Sequence, residues 1–306
     1  MNQPTGCGAI DELLGGGFLK PAVNLLYGDT GSGKTTLASM TSIDVMKAGK
    51  PVYYLDTEEG FSRKRLDQMA QAAGLEEEAV ESLFKLYEAT SLVEQHKIII
   101  HAWDEDANRD TPGLFVVDSL VNHYHKDLLA AKQSFLAVKS RELQGRLAYQ
   151  IGKLLDLSSK YGATTILVSW SRSAAGRSFQ EQQRAKMMEK GELTDIELGL
   201  GAKQYDVIGG RHLEYNSKAI LRMISLKESY ERLALLEKHK EMPTPTLVLL
   251  SMSEAGLAGA EKEGKRVHHL DSYYQSLIEE ALEDSRPRRK RPGSSAAAIN
   301  RESKER

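Results

Sequence analysis

The chain has 306 residues, a net charge of −2 and an apolar fraction of 41%, which is enough for one large packed domain or two smaller ones. This balance excludes a uniformly basic protein, and the single cysteine, Cys7, excludes an internal disulfide and suits a reducing compartment. Because no apolar run reaches about 18 residues and the N-terminus lacks a basic-then-apolar leader, we expect a soluble cytoplasmic protein that does not enter a membrane.

Strand and helix patterns alternate along the chain up to about residue 170. Short apolar runs predict strands at residues 22–27, 51–56, 83–89, 113–119 and 163–170. Helical spacing and end signals predict helices at residues 34–49, 63–74, 93–110 and 141–162. Strands that alternate with helices form a parallel sheet covered on both faces. We therefore predict an α/β fold with a mostly parallel, twisted sheet.

The character of the sequence changes after residue 170. Residues 171–208 are polar and rich in Gln and Arg, and a connection of this length is usually functional. Three strand-like runs, at residues 219–226, 231–238 and 246–253, predict C-terminal β-hairpins at the sheet edge. The predicted organisation is a core at 1–260 with an insertion at 171–208, a helical extension at 261–284 and a basic disordered tail at 285–306.

The segment GDTGSGKT has the spacing G-x-x-x-x-G-K-T and lies between a predicted strand and a predicted helix. Glycines let successive backbone N–H groups point at an anion, and the start of the helix adds its positive end. Lys34, on a solvated loop, can reach the β- and γ-phosphates of a nucleotide, and the Thr35 hydroxyl can bind Mg²⁺. The predicted nucleotide-binding residues of this loop are Gly28, Asp29, Thr30, Gly31, Ser32, Gly33, Lys34, Thr35 and Thr36. The alternative, a flexible Gly/Ser turn, does not explain the flanking strand and helix.

Carboxylates follow two of the predicted strands. Asp118 ends an apolar strand, at the sheet edge where α/β proteins bind ligands, and we predict that it holds Mg²⁺ through water. The alternative is an Asp that only ends the strand in a turn. Hydrolysis also needs a residue that orients water, and Asp56, Glu58 and Glu59 are candidates among which chemistry alone does not choose.

Six segments together carry a family resemblance. In chain order they are PTGCGAIDELLGGGF, GDTGSGKTTLA, YYLDTEEGFSRKRL, LFVVDS, RELQGRL and IGGRHLEYNSKAILRM. They resemble the RecA/RadA recombinase superfamily over residues 4–257, and within it the archaeal RadB branch, which consists of the ATPase core. The residues ahead of the core show neither a helical DNA-binding domain nor an F-x-x-A motif, so we expect this branch rather than RadA. The resemblance implies a RecA-type P-loop ATPase core that uses ATP and Mg²⁺ and hydrolyses ATP slowly.

The resemblance also implies roles for single residues. Glu58 matches the residue that positions the attacking water, which with Lys34 makes the predicted catalytic pair. Arg65 matches the Arg that packs on adenine, although a helix-surface cation is the alternative. Glu59 stands where the family usually has Gly. Trp170 stands where recombinases have the Gln of T-N-Q, which contacts the γ-phosphate and links ATP to DNA. Because a Trp side chain cannot accept a hydrogen bond, this coupling is not carried over to Trp170, which we interpret either as a core-edge aromatic or as a stacking platform for a base or nucleotide.

Two segments match the loops that face DNA in the family, one after each of the strands ending at Asp118 and Trp170. The predicted DNA-binding residues are Lys126, Lys132 and Arg141 in the first, which also offers His123, Tyr124 and Lys139, and Arg172, Arg177, Arg184 and Lys186 in the second. Basic residues of this kind neutralise DNA phosphates, while an ordinary solvated loop is the alternative. The tail segment 286–292 is a separate candidate for DNA or an acidic partner, or a plain solubilising tail.

The resemblance implies an ATP-dependent DNA-binding accessory protein of homologous recombination and DNA repair. The partners it implies are single-stranded or branched DNA, the RadA recombinase, a Holliday-junction resolvase and a replicative DNA polymerase, with self-association left open. Two alternatives stay open: a KaiC-like RecA-fold ATPase that does not act on DNA, and a nucleotide-binding scaffold with negligible hydrolysis.

Overall fold

A single sheet organises the protein. The computed structural model describes residues 1–171, 207–226 and 230–260. Its strands are β1 (Ala22–Gly28), β2 (Val52–Asp56), β3 (Phe84–Glu88), β4 (Leu114–Asp118), β5 (Thr164–Trp170), β6 (Ala219–Ser225), β7 (Glu231–Lys238), β8 (Thr246–Ser253) and β9 (Gly256–Gly259). They lie side by side in the order β3–β2–β4–β5–β1–β6–β7–β8–β9.

The sheet has a parallel part and an antiparallel part. Strands β3, β2, β4, β5, β1 and β6 pair in parallel, and β7, β8 and β9 follow as antiparallel hairpins. The predicted fold class, including the C-terminal hairpins, is confirmed; the short strand β9 was not predicted. The ends of the parallel strands meet at one edge, where Gly28 pairs with Trp170 and Asp56 pairs with Asp118.

Helices cover both faces of the sheet. They are α1 (Gly8–Leu13), α2 (Lys34–Lys47), α3 (Arg63–Ala72), α4 (Glu77–Leu83), α5 (Leu92–Lys97), α6 (Trp103–Ala107), α7 (Asn122–Ala130), α8 (Leu136–Tyr161) and α9 (Arg211–Asn216). A π-helical turn at Ile98–Ala102 joins α5 to α6. Helices α1 to α4 contribute to one hydrophobic core and α5 to α9 contribute to the other, so each face of the sheet is buried.

Helix α8 shows how the sequence pattern produces the packing. Its predicted apolar stripe, Leu143, Leu147, Ile151 and Leu154, is buried as expected, and each of these side chains contributes about 1.5–3 kcal/mol by leaving water. The helix ends before Gly162, whose φ of +58° is the left-handed conformation that glycine adopts easily. It begins at Leu136, five residues before the predicted start.

The first predicted DNA-facing loop, residues 121–141, is mostly helical, so its prediction as a loop was wrong. Helix α7 occupies its first half, and a 3₁₀ turn at Gln133–Phe135 leads directly into α8. The reason is burial, since Asn122, His123 and Tyr124 lie inside the protein and His123 Nε2 is hydrogen-bonded to the Ala89 carbonyl oxygen at 2.8 Å.

Other predicted segments lie partly or wholly outside the described residues. Of the predicted insertion, Ser171, Val207 and Ile208 are described, and an antiparallel bridge joins Ser171 to Val207. The predicted helical extension at 261–284 and tail at 285–306 lie outside the described residues. Among the helices that are described, none combines the length and the apolar character needed to cross a membrane.

Candidate nucleotide-binding site

The phosphate loop connects β1 to α2 at the carboxyl edge of the sheet, and its glycines are required by the geometry. A Cβ atom added to Gly28 would lie 2.0 Å from the Met223 carbonyl oxygen on β6, closer than any real contact. Gly33 precedes the first residue of α2 and has a φ of +97°, which side chains with a Cβ atom rarely adopt. The loop therefore curls as the G-x-x-x-x-G-K-T spacing predicts.

Lys34 is the first residue of α2 and is buried, with 9% of its surface exposed. Its Nζ atom donates a hydrogen bond of 2.7 Å to the Asp29 carbonyl oxygen. Burial lowers the pKa of the ammonium, while the negative charges of Asp118, Glu58 and Asp29 raise it. The prediction that Lys34 lies on a solvated loop was wrong, because the side chain folds back into the loop. A phosphate would stabilise this poorly solvated cation.

Thr35, Tyr54 and Asp118 form a hydrogen-bonded cluster beside the loop. The Thr35 hydroxyl and the Tyr54 hydroxyl each donate to Asp118 Oδ2 at 2.7 Å. Burial raises the pKa of the Asp118 carboxyl to about 6, although both hydroxyl donors act in the opposite direction. The structure thus brings the two predicted metal ligands into direct contact.

The oxygen atoms of Thr35 and Asp118 suit Mg²⁺, which prefers oxygen ligands and usually shares them with nucleotide phosphates. Within the described ranges, no group of three His, Cys, Asp or Glu side chains could hold a metal ion without ligands from a nucleotide. The buried hydroxyl of Ser32, in the middle of the phosphate loop, has no hydrogen-bond partner among the described residues. These features fit a magnesium–nucleotide complex rather than a metal held by protein alone.

The remaining loop residues are held by contacts from distant parts of the chain. Arg232 Nε on β7 donates to the Gly31 carbonyl oxygen at 3.1 Å. The Ser171 hydroxyl, just after β5, donates to the Asp29 carboxylate. Thr30 and Asp29 are exposed, and Thr36 is half-buried in the first turn of α2. The loop is therefore braced from strands on both sides of β1.

The turn after β2 separates the three acidic candidates. The Asp56 carboxylate is buried and accepts hydrogen bonds from the backbone N–H groups of Glu58 and Phe61, each at 2.9 Å, so its role in the turn is structural. Glu58 is exposed and close enough to Lys34 to raise its pKa. Glu59 has a φ of +56°, an uncommon conformation for a residue with a side chain. Among these acids, the geometry favours Glu58 for water.

Arg65, the predicted adenine contact, and Trp170, at the position of the family's Gln, lie on either side of this turn. Trp170 Nε1 donates a hydrogen bond of 2.6 Å to Glu58 Oε1. Arg65, in the first turn of α3, donates through its guanidinium to the carbonyl oxygens of Ser253, the last residue of β8, and Glu254, in the turn that follows. The adenine role of Arg65 stays a prediction, and its present partners are backbone atoms.

The described DNA-binding candidates lie on the surface of the α7–α8 region. Lys126, Lys132 and Arg141 are exposed, and large apolar side chains beside them are exposed as well, with Phe135 at 64% and Val138 at 66%. Of the other basic candidates in this segment, Lys139 is paired with Glu142 at 3.1 Å. The four candidates of the second segment, Arg172, Arg177, Arg184 and Lys186, lie outside the described residues.

Sequence reasoning missed Tyr54 and Asn122. Tyr54 holds Asp118, and the Asn122 amide donates to the Thr57 carbonyl oxygen, which ties α7 to the turn after β2. One signal for Tyr54 was available, because a tyrosine in a buried strand needs a partner for its hydroxyl. Nothing in the sequence alone shows that β2 pairs with β4.

Comparisons with known proteins agree with this geometry. The Rad51 family model matches residues 1–188. The DNA repair and recombination protein RadB of Thermococcus gammatolerans is 31% identical over 255 residues, which are 83% of this chain and 96% of the relative.

A second relative, the RadB protein of Thermococcus kodakarensis, is 31% identical over 84% of this chain and 99% of its own length. The crystal structure of the RadB recombinase aligns with a TM-score of 0.63 and 28% identity, covering 85% of this chain and all of that one. The RecA-type fold and the resemblance to the RadB branch are confirmed. The chain belongs to the Rad51 family.

Proposed function

We propose that this protein is a RadB-like, ATP-dependent DNA-binding accessory protein of homologous recombination and DNA repair, with slow ATP hydrolysis. The observation that carries the proposal is the contact of Thr35 with Asp118 beside the buried Lys34, because this set of groups suits a magnesium-bound triphosphate. The recombination role is supported by relatives that are named DNA repair and recombination proteins over most of the chain.

The proposed mechanism assigns one task to each residue. Lys34 donates to the phosphates and neutralises charge that develops on the γ-phosphate. Thr35 and Asp118 would hold Mg²⁺, which would supply further charge neutralisation. Glu58 accepts a hydrogen bond from the attacking water and aims it in line with the bond that breaks. Arg65 packs on the adenine.

DNA contact is proposed for the exposed cations Lys126, Lys132 and Arg141, with the basic residues of the segments outside the described ranges as further candidates. Each cation that contacts a phosphate releases bound counterions, so the slope of log affinity against log salt reports the number of such contacts. Changing the three to Ala should lower the slope of log affinity against log salt by up to about 2–3 units. The matched control changes Lys50, Lys64 and Lys240, which are exposed elsewhere, and should leave the slope unchanged.

The proposed partners are single-stranded or branched DNA together with the RadA recombinase, a Holliday-junction resolvase and a replicative DNA polymerase. Self-association is a further proposal. Each would be tested by direct binding to the purified partner, because the described surface offers no pattern that identifies one of them.

A nucleotide-binding scaffold with negligible hydrolysis is the second candidate. It is favoured by Trp170 and Glu59, which replace the Gln and Gly that the family usually has. A DNA-independent ATPase of the KaiC type shares the same nucleotide site and differs only in its response to DNA.

One experiment separates the three candidates. Steady-state ATP turnover is measured for the wild type and for Lys34→Ala, without DNA, with single-stranded DNA and with a branched junction. The proposed function predicts a slow rate that requires Lys34 and changes with DNA. A Lys34-dependent rate that ignores every DNA, together with no DNA binding, would favour the KaiC-type ATPase. ATP binding without turnover would favour the scaffold.

A further inference from the structure

The side chain of Glu58 is held by one strand end. Trp170 is the last residue of β5 and pairs with Gly28, the first residue of the phosphate loop. Its indole N–H reaches across the edge of the sheet to Glu58 Oε1 at 2.6 Å. Glu58 lies at the exposed end of the turn after β2, and its backbone N–H is fixed by Asp56. Trp170 therefore supplies the hydrogen bond that orients an otherwise solvated carboxylate.

Trp170 is itself well anchored. Its carbonyl oxygen accepts a hydrogen bond from Ile208 N at 3.0 Å. Its ring meets the His125 ring edge-on, with centroids 5.7 Å apart and planes at 77°. Its side chain is half-buried and packs on the core formed by α5 to α9. An anchored donor restricts the rotamers of a long, flexible acceptor side chain more than water does.

The chemistry of tryptophan decides what this contact can do. The indole has one N–H donor and no acceptor, and here that donor is committed to a carboxylate oxygen. A glutamine at this position would have both a donor and an acceptor. Trp170 can therefore orient the carboxylate by donating a hydrogen bond to it, but its side chain cannot accept a hydrogen bond from a phosphate-bound water or another donor.

We propose that Trp170 is the positioning residue for Glu58. It holds Oε1 and turns Oε2 toward the water that attacks the γ-phosphate. This inference rests on the proposed ATPase function, because the carboxylate that Trp170 orients is the one assigned to water. It differs from the coupling role that the family's Gln implies.

The first test is a double-mutant cycle on ATP hydrolysis. Trp170→Phe keeps an aromatic ring and removes the donor, so kcat should fall about tenfold while KM for ATP stays within about twofold. The same change in a Glu58→Gln background should alter kcat by less than about twofold, because the carboxylate it orients is gone.

Trp170→Gln is the rescue variant. Its amide nitrogen is the same number of bonds from Cα as the indole nitrogen, so it can donate to Glu58. We expect kcat within about threefold of the wild type. Any of three results would overturn the positioning role. The first is an equal kcat for the wild type and Trp170→Phe, and the second is that Trp170→Phe lowers kcat as much in the Glu58→Gln background as in the wild type. The third is that Trp170→Gln does not restore kcat.

The second test needs no nucleotide. The chain has two tryptophans, Trp103 and Trp170, and Trp103 is fully buried among Tyr53, Tyr87 and Phe115. A negative charge beside the indole nitrogen stabilises the excited ring, so Glu58→Gln should move the emission of Trp170 to shorter wavelength. In Trp170→Phe, where Trp103 alone emits, the same change should have no effect.

The two tests separate failure of the inference from failure of the proposed function. Absence of Lys34-dependent hydrolysis in the wild type would contradict the proposed function, and the emission shift would still report the contact. Lys34-dependent hydrolysis without an emission shift would show that Trp170 does not hold Glu58, and the inference would be wrong.

Discussion

The two halves of the proposed nucleotide site are built differently. The phosphate side comprises residues 28–36 with Tyr54 and Asp118. Its Lys34, Tyr54 and Asp118 are buried, and hydrogen bonds of 2.7 Å cross-link it. The water side, which comprises Glu58, Glu59 and Trp170, lies on exposed or half-buried positions. Its carboxylate is held through a single side-chain hydrogen bond among the described residues.

Under the proposed function, this difference predicts that nucleotide binding depends on the phosphate side alone, whereas hydrolysis requires both sides. The phosphate side carries the generic residues of a phosphate loop in a preorganised arrangement, so it should bind Mg·ATP tightly. On the water side, Glu59 adopts a strained conformation, and the carboxylate of Glu58 is held by one exposed hydrogen bond. We therefore expect tight binding with slow turnover, and changes on the water side should leave nucleotide binding largely intact.

The largest expected effect is on the phosphate side. Lys34→Ala should weaken Mg·ATP binding about 100-fold, because it removes a charge-assisted contact to the phosphates. Calorimetric titration measures the affinity, and the unfolding midpoint checks that the fold persists. Lys50→Ala, an exposed cation just beyond the opposite end of α2, is the control and should bind within about twofold of the wild type. Unchanged affinity in Lys34→Ala would contradict the assignment of the loop.

The second prediction concerns the buried carboxylate of the same side. Because the pKa of Asp118 is raised from 3.8 to about 6 in the folded protein, its ionisation destabilises the fold as the pH rises from about 4 to 6. Asp118→Asn keeps an acceptor for Thr35 and Tyr54 without the charge. It should therefore raise the free energy of unfolding at pH 8 by up to about 3 kcal/mol and leave it nearly unchanged at pH 4.

Urea unfolding at both pH values, without nucleotide or Mg²⁺, measures this difference. The same variant should bind Mg·ATP less well than the wild type, because a metal-facing carboxylate is lost. A variant that is less stable than the wild type at pH 8 would show that the charge of Asp118 is already compensated in the free protein.

The smallest expected effect is a change in stability at Glu59, on the water side. Glu59 adopts a φ of +56°, which is unfavourable by about 1 kcal/mol for a residue with a Cβ atom. Glu59→Gly should raise the free energy of unfolding by a few tenths to about 1 kcal/mol, since part of the gain is offset by the flexibility of glycine in the unfolded chain. Urea unfolding measures it, with Glu59→Ala as the matched control.

The alanine variant removes the charge and keeps the strain, so it should be no more stable than the wild type. If Glu59→Gly is less stable than Glu59→Ala, the flexibility of glycine in the unfolded chain outweighs any strain that it relieves, and the predicted gain is wrong.

Much of the fold followed from local pattern. The apolar run at 113–119 and the stripe of Leu143 and Leu147 predict a buried strand and an amphipathic helix, and the structure has both. The region 121–141 was predicted wrongly because its basic residues and the family resemblance outweighed a helical signal, the spacing of Tyr124 and Leu128. Both side chains pack on the core in the structure.

The phosphate side was predictable and the contacts of the water side were not. Residues 28–35 are contiguous, so their spacing alone predicts their chemistry, and Asp118 was predicted from its place at the end of a strand, where the structure has it. Trp170 and Glu58 are 112 residues apart in sequence. Their contact depends on β4 lying between β2 and β5, and no spacing in the chain encodes that order.

The most direct test of the separation between binding and hydrolysis is made on Glu58→Gln. Its affinity for Mg·ATP and its single-turnover hydrolysis rate are measured beside those of the wild type. We predict an affinity within about twofold of the wild type and a rate at least about tenfold lower, because the carboxylate that aims the water is lost. An unchanged hydrolysis rate, or a loss of affinity as large as the loss of rate, would contradict the division of the site into a phosphate side and a water side.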